Sequence, residues 1–187
     1  MSGRLGVPDV RVAPRDTEGD VFLAGDTAEM RKQRVLEIWR LNASAGLVCA
    51  AVDLEWTISR ALMFLSATPN ADLRKTLAGC YSLDSYKGLW AGELAADSQY
   101  RTLPEVARDW GKVKAAFHER GAVVHGKARR TRNMVEPHME VLFGAVECIE
   151  AYCRECGVAL AARLPVRRAV RNAEPTTSRH TGLADGR

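Results

Sequence analysis

Arg120 and His125 are the residues of this 187-residue chain whose types and spacing best suit chemistry on a phosphodiester. They lie in the run Phe117-His118-Glu119-Arg120-Gly121-Ala122-Val123-Val124-His125-Gly126-Lys127: an arginine, four residues, a histidine and a glycine. Arginine stays charged at every cellular pH, and its planar fork holds phosphate oxygens while negative charge develops. Imidazole is the side chain that ordinarily gives or takes a proton near neutrality. RNA carries its own nucleophile, the 2′-hydroxyl. Its cleavage asks for a base to take that proton, an acid for the leaving 5′-oxygen and a cation at the phosphorane, without a metal. The motif holds one histidine, and a two-fold pair of chains would supply a second proton carrier. Five helical steps leave Arg120 and His125 about 140° apart. A bend at Gly121 or Gly126, or use across a dimer, is expected to bring them together.

The charge around the motif supports an anionic partner. Between Gly111 and Val135 seven basic residues face Glu119 alone, although the whole chain carries only +4. Twenty-one of the 27 basic residues are arginine. Such a patch draws polyanions toward the protein. Lys127, Arg129, Arg130 and Arg132 form a basic connector just after the histidine and are expected to guide an RNA backbone.

On these residues the chain resembles the HEPN superfamily, whose hallmark is an R-x4-6-H motif late in a helical bundle. The resemblance spans residues 30 to 165 as architecture, and its specific content is the motif. It implies a metal-independent endoribonuclease in which Arg120 and His125 are catalytic and a homodimer composes the site. The implied product is a 2′,3′-cyclic phosphate and no cofactor is required. It also implies a role as toxin or defence effector, with an antitoxin or regulatory protein as partner. Gly121 stands where many members carry a polar residue, often asparagine. That departure points to the alternative, a catalytically inactive helical module that binds RNA or a protein. Lys127 stands where one subgroup carries a tyrosine modified by nucleotidyltransferases, so that regulation is not expected.

Other residues have weaker roles. Asp53 and Glu55 are acids in an apolar segment, and one is expected to face an arginine, because buried carboxylates are normally paired. Glu55 could orient the arginine or histidine across the bundle, and His118 could serve as a second proton carrier or stand idle in solvent. His138, Cys148, Cys153 and Cys156 lack the paired C-x2-C spacing of a zinc site. No metal is expected, and these thiols read as buried packing. Trp39, Trp56, Trp90 and Trp110 read as core or dimer-interface residues. No G-x-G-x-x-G, phosphate-loop, G-x-S-x-G or H-E-x-x-H sequence is present.

Helices must position these groups. The 47% hydrophobic content excludes a disordered chain, and no strand-like alternation is visible. An all-α, up-and-down bundle of four to six helices is expected over residues 26–165, between a flexible leader, 1–25, and a basic flexible tail, 166–187. Asp26 or Thr27 caps the first helix, with Asp26 and Glu29 at capping-box spacing. Gly46 kinks or divides it before the apolar stretch Leu47–Leu65, which Thr68-Pro69-Asn70 ends. Two shorter helices follow, over 71–81 and 83–94. Thr102, Pro104 and Glu105 start a helix running to about His125, with Val106, Trp110, Val113 and Phe117 as its core stripe and Gly126 as its stop. The last helix is expected from near Met134 to about Leu164, with Pro137 in its first turn. Charges at Asp53, Glu55 and Arg60 argue against a membrane span, and five cysteines fit reduced thiols in the cytoplasm.

Overall fold

Asn42 closes one helix and opens the next, and this single extended residue sets a helical hairpin. The structure, a computed structural model, describes residues 25–94, 99–127, 130–165 and 167. The expected leader, and the tail apart from Arg167, lie outside the described residues. Helix α1 (Ala28–Leu41) begins at Thr27, whose hydroxyl accepts from the Met30 amide at 3.3 Å. Asp26 is therefore not the cap: its buried carboxylate pairs with Arg34 instead. Helix α2 (Ala43–Leu65) begins where the Asn42 side chain accepts from the Ala45 amide at 3.1 Å.

The division thus falls at Asn42 rather than at Gly46. Gly46 has another purpose, since a Cβ there would sit 2.5 Å from Trp39 Cβ. Its missing side chain lets α1 and α2 approach closely. Arg31 and Asp53, each eleven residues from Asn42, meet at 2.6 Å, so the two helices run antiparallel.

Five further helices follow: α3 (Asn70–Leu77), α4 (Leu83–Leu94), α5 (Leu103–Ala107), α6 (Trp110–Val124) and α7 (Arg132–Glu155). The described residues are all-α, as expected, with seven helices instead of four to six. One extra element comes from a break in the helix expected over 102–125. The Thr102 amide donates to Glu105 Oε2 at 2.8 Å, the bond by which a capping-box carboxylate reaches back to the N-cap, and the Thr102 hydroxyl donates to the same oxygen at 2.8 Å. The helix then stops at Arg108 and Asp109, whose φ values of 54° and 27° lie in the left-handed half of backbone space. Such residues cost on the order of 1–3 kcal/mol each when they are not glycine. Val106 and Val113 remain buried on either side of the break, while Trp110 and Phe117 are only half-buried.

Helix α7 ends at Glu155, well before Leu164, because Gly157 (φ 76°) supplies the left-handed turn. The Val158 amide donates to Cys153 O at 2.8 Å and the Gly157 amide to Arg154 O at 2.9 Å, the two bonds of a Schellman stop. Starting at Arg132, α7 carries Pro137 inside the helix and beyond its first turn. Residues 158–165 then fold back onto α2. Arg60 donates to the Leu160 and Ala162 carbonyls, and Arg167 donates to those of Met63 and Phe64 at the α2 C-terminus.

The core lies between α2 and α7. Leu47, Leu54, Ile58 and Leu62 of α2 are fully buried, against an α7 stripe of Val135, Met139, Leu142, Val146, Ile149 and Cys153. That stripe steps by four and three residues, the spacing of one continuous apolar face. Cys153 is packed so deeply that its thiol is pushed up to about 12. Cys148 is half-buried and Cys156 exposed, so the expectation of buried thiols holds for Cys153 alone. Trp90 is buried, whereas Trp39, Trp56 and Trp110 are half-buried.

One charged cluster crosses this core. Arg31 is fully buried on Asp53, Glu150 at 2.9 Å, Thr57 at 3.3 Å and the Asp26 carbonyl at 3.0 Å, and its guanidinium lies 4.2 Å over Trp56. Arg132 donates to the Arg40 carbonyl at 2.9 Å at the opposite end of α1, so α1 and α7 are also antiparallel. No helix among the described residues is long and apolar enough to cross a membrane.

Candidate functional site

The Arg120–His125 segment is the last part of α6, and its geometry follows from how that helix ends. Gly126 has φ 63°, the Gly126 amide donates to Val123 O at 3.1 Å and the Lys127 amide to Ala122 O at 2.9 Å. This Schellman stop turns the chain sharply after His125, which is the C-cap residue and is exposed. Helix α6 continues unbroken through Gly121. The bend foreseen at that glycine is therefore absent, and the angular separation of Arg120 and His125 persists.

What unites the two residues is a groove rather than a bend. An open cleft of about 350 Å³ is floored by the α6 face that carries Lys114, His118, Gly121 and His125. These four positions fall within about 60° of one another around a helix. Phe117 and Arg120 form the inner edge of the same cleft, and Lys127 closes its end. Tyr81 and Ser82, from the α3–α4 connection, and Leu83, the first residue of α4, form another wall.

Arg120 is held from behind. Its Nη2 lies 3.8 Å from Glu55 Oε1 on α2, its guanidinium carbon 5.6 Å from the centre of the Phe117 ring, and its Nε is buried without a partner. Burial pushes the Glu55 carboxyl up, and the Arg120 cation pulls it down less strongly. Tyr86 stands behind this pair with its hydroxyl bonded to Ser59. Its phenol is pushed up chiefly by burial, and by Glu55 to a smaller degree. Of the two acids in the apolar segment, Asp53 faces Arg31, and Glu55 lies 3.8 Å from Arg120 across the bundle.

The basic connector divides in two. Lys127 is exposed on the groove. Arg130 turns away onto Glu119 at 2.6 Å, and Arg132 lies over Trp39 at 4.6 Å while bonded to Arg40. Arg129 lies outside the described residues. Lys114, which the charge count included without a role, joins the groove and pairs with Asp84 at 3.6 Å.

Two residues of the α3–α4 connection escaped the sequence reading. Tyr81 is 83% exposed on the cleft wall, an unusual position for a large ring. Ser82 fixes that wall, because the Ser85 amide donates to Ser82 Oγ at 3.1 Å and the Ser82 amide to Ser85 Oγ at 3.0 Å. This reciprocal serine box starts α4. The Ser82-x-x-Ser85 spacing was the available signal for the box; nothing in the sequence placed Tyr81 on the cleft that His125 lines.

No group of three or more His, Cys, Asp or Glu among the described residues could hold a metal ion. The groove therefore presents cations, two imidazoles, a phenol ring and a glycine floor. Such a surface suits an anionic ester with an aromatic appendage. No protein-family model, curated protein or solved structure matches this chain.

Proposed function

We propose that this chain is a HEPN-type endoribonuclease that cleaves RNA by attack of the 2′-hydroxyl on the adjacent phosphorus. The observation that carries the reading is the shared groove: Arg120 and His125, paired by sequence, line one open cleft with Lys114 and Lys127 beside them. Arg120 would hold the non-bridging oxygens as charge builds on the phosphorane, the kind of electrostatic stabilisation that dominates many such reactions. His125 would move a proton at the 2′-oxygen or the 5′-oxygen. Glu55 acts on Arg120 only, as a positioning residue.

The chemistry requires two proton carriers, and the resemblance seeks the second in a two-fold related copy. The same resemblance carries a cytoplasmic toxin or defence role, with an antitoxin or regulator as protein partner.

A binding module without catalysis is the second reading. It is favoured by Gly121 and by the intramolecular engagement of Arg130 and Arg132, which takes two cations from the RNA path. Incubation of labelled RNA with the protein in EDTA, alongside Arg120→Ala and His125→Ala, separates the two. Cleavage lost in both variants supports the nuclease. Retention of RNA on the wild type without cleavage supports the module and overturns the first reading.

A further inference from the structure

We propose that His118 is the second proton carrier of the groove, so that acid and base for RNA cleavage come from one chain. The inference rests on the endoribonuclease reading and removes its need for a partner's histidine. His118 and His125 are seven residues apart, about 20° short of two full helical turns and about 10 Å along the axis. Both are exposed and both line the same cleft.

Gly121 lies between them on that face, and a Cβ built on it meets nothing within 4 Å. The missing side chain leaves the space between the imidazoles open, so a phosphodiester can rest against the helix backbone there. Lys114 and Lys127 stand toward the two ends of the stripe, and Arg120, 3.8 Å from Glu55, lines the same cleft. The glycine that departs from the family pattern thus becomes part of the site.

The step balances within this set. One imidazole takes the 2′-hydroxyl proton as the O2′–P bond forms, and the other gives its proton to O5′ as the P–O5′ bond breaks. The products are a 2′,3′-cyclic phosphate and a free 5′-hydroxyl. The two imidazoles finish with their protonation states exchanged and reset through solvent.

The test uses the full chain in EDTA on two short RNAs, one ordinary and one with sulfur in place of the scissile 5′-oxygen. A thiolate leaves without being protonated, so loss of the acid is harmless on the second substrate. His118→Ala and His125→Ala are each expected to slow ordinary cleavage by about 10²-fold or more. One of the two is expected to regain nearly the wild-type rate on the sulfur substrate while the other stays slow. His118→Gln, which keeps a polar side chain on this exposed face, is expected to behave as His118→Ala, and thermal melts of all variants to match the wild type.

Ordinary cleavage by His118→Ala at the wild-type rate, with His125→Ala inactive, overturns the inference and leaves the nuclease reading standing. Slow cleavage of both substrates by both variants also overturns it, since neither imidazole then serves as the acid. A wild-type protein that cuts neither substrate overturns the nuclease reading and the inference together.

Discussion

Glu55 Oε1 on α2 lies 3.8 Å from Arg120 Nη2 on α6, so the cation at the edge of the cleft is anchored from across the bundle. Glu55→Gln keeps the shape of the anchor and removes its charge. Steady-state cleavage is expected to fall about tenfold in kcat/KM, equivalent to about 1.4 kcal/mol. Dependence on His125 should be retained. An unchanged rate would show that Arg120 needs no such anchor.

The same carboxyl gives a pH signature in stability. Burial holds Glu55 above its ordinary value of 4.5, with Arg120 opposing less strongly. The folded chain therefore binds this proton more tightly than the unfolded chain does. The contribution of Glu55 to stability is greatest below 4.5 and declines as pH rises through its folded value. Urea unfolding across that range is expected to show a shallower decline for Glu55→Gln than for the wild type. Parallel curves would contradict this.

Arg31 and Asp53 provide the corresponding test for the fold. Asp53→Ala leaves the buried Arg31 guanidinium with Glu150, Thr57, a carbonyl and the Trp56 ring. Truncating one partner of a buried pair costs roughly 3–5 kcal/mol, and denaturant unfolding should show a loss in that range. A loss below about 1 kcal/mol, the scale of a surface pair, would mean that Asp53 contributes little to holding Arg31.

Much of the helical frame was legible because its signals are local. Gly126 after His125 predicted the stop of α6, and Thr102 with Glu105 predicted the start of α5, since each depends on hydrogen bonds within one turn. The α1–α2 boundary falls at Asn42 rather than Gly46 because the Asn42 side chain caps α2 by a bond to the Ala45 amide, whereas the glycine serves close packing on Trp39. The break at Arg108 and Asp109 had no sequence signal, as positive φ at non-glycine residues is imposed by packing. Of the groups at the cleft, Arg120 and His125 stood out by type and spacing, whereas Glu55 was only one of two acids in an apolar segment. Tyr81 could not, because a residue of the α3–α4 connection meets α6 only through tertiary folding.

Tyr81 presents an exposed ring to the cleft, where a nucleobase next to the scissile phosphate can stack. Tyr81→Ala is expected to weaken binding of single-stranded RNA by about 1–3 kcal/mol, measured by fluorescence anisotropy on the His125→Ala background to prevent cleavage. Tyr81→Phe should bind as the wild type does. Equal affinities for the alanine and tyrosine forms would remove the stacking role.

End-group analysis of RNA cut in EDTA reports whether the 2′-hydroxyl attacks at the Arg120–His125 cleft. Fragments ending in 2′,3′-cyclic phosphate with 5′-hydroxyl partners are expected from the wild type and are expected to be lost in Arg120→Ala and His125→Ala. Intact RNA with the wild type, or the same fragments from either variant at the wild-type rate, would contradict this attack.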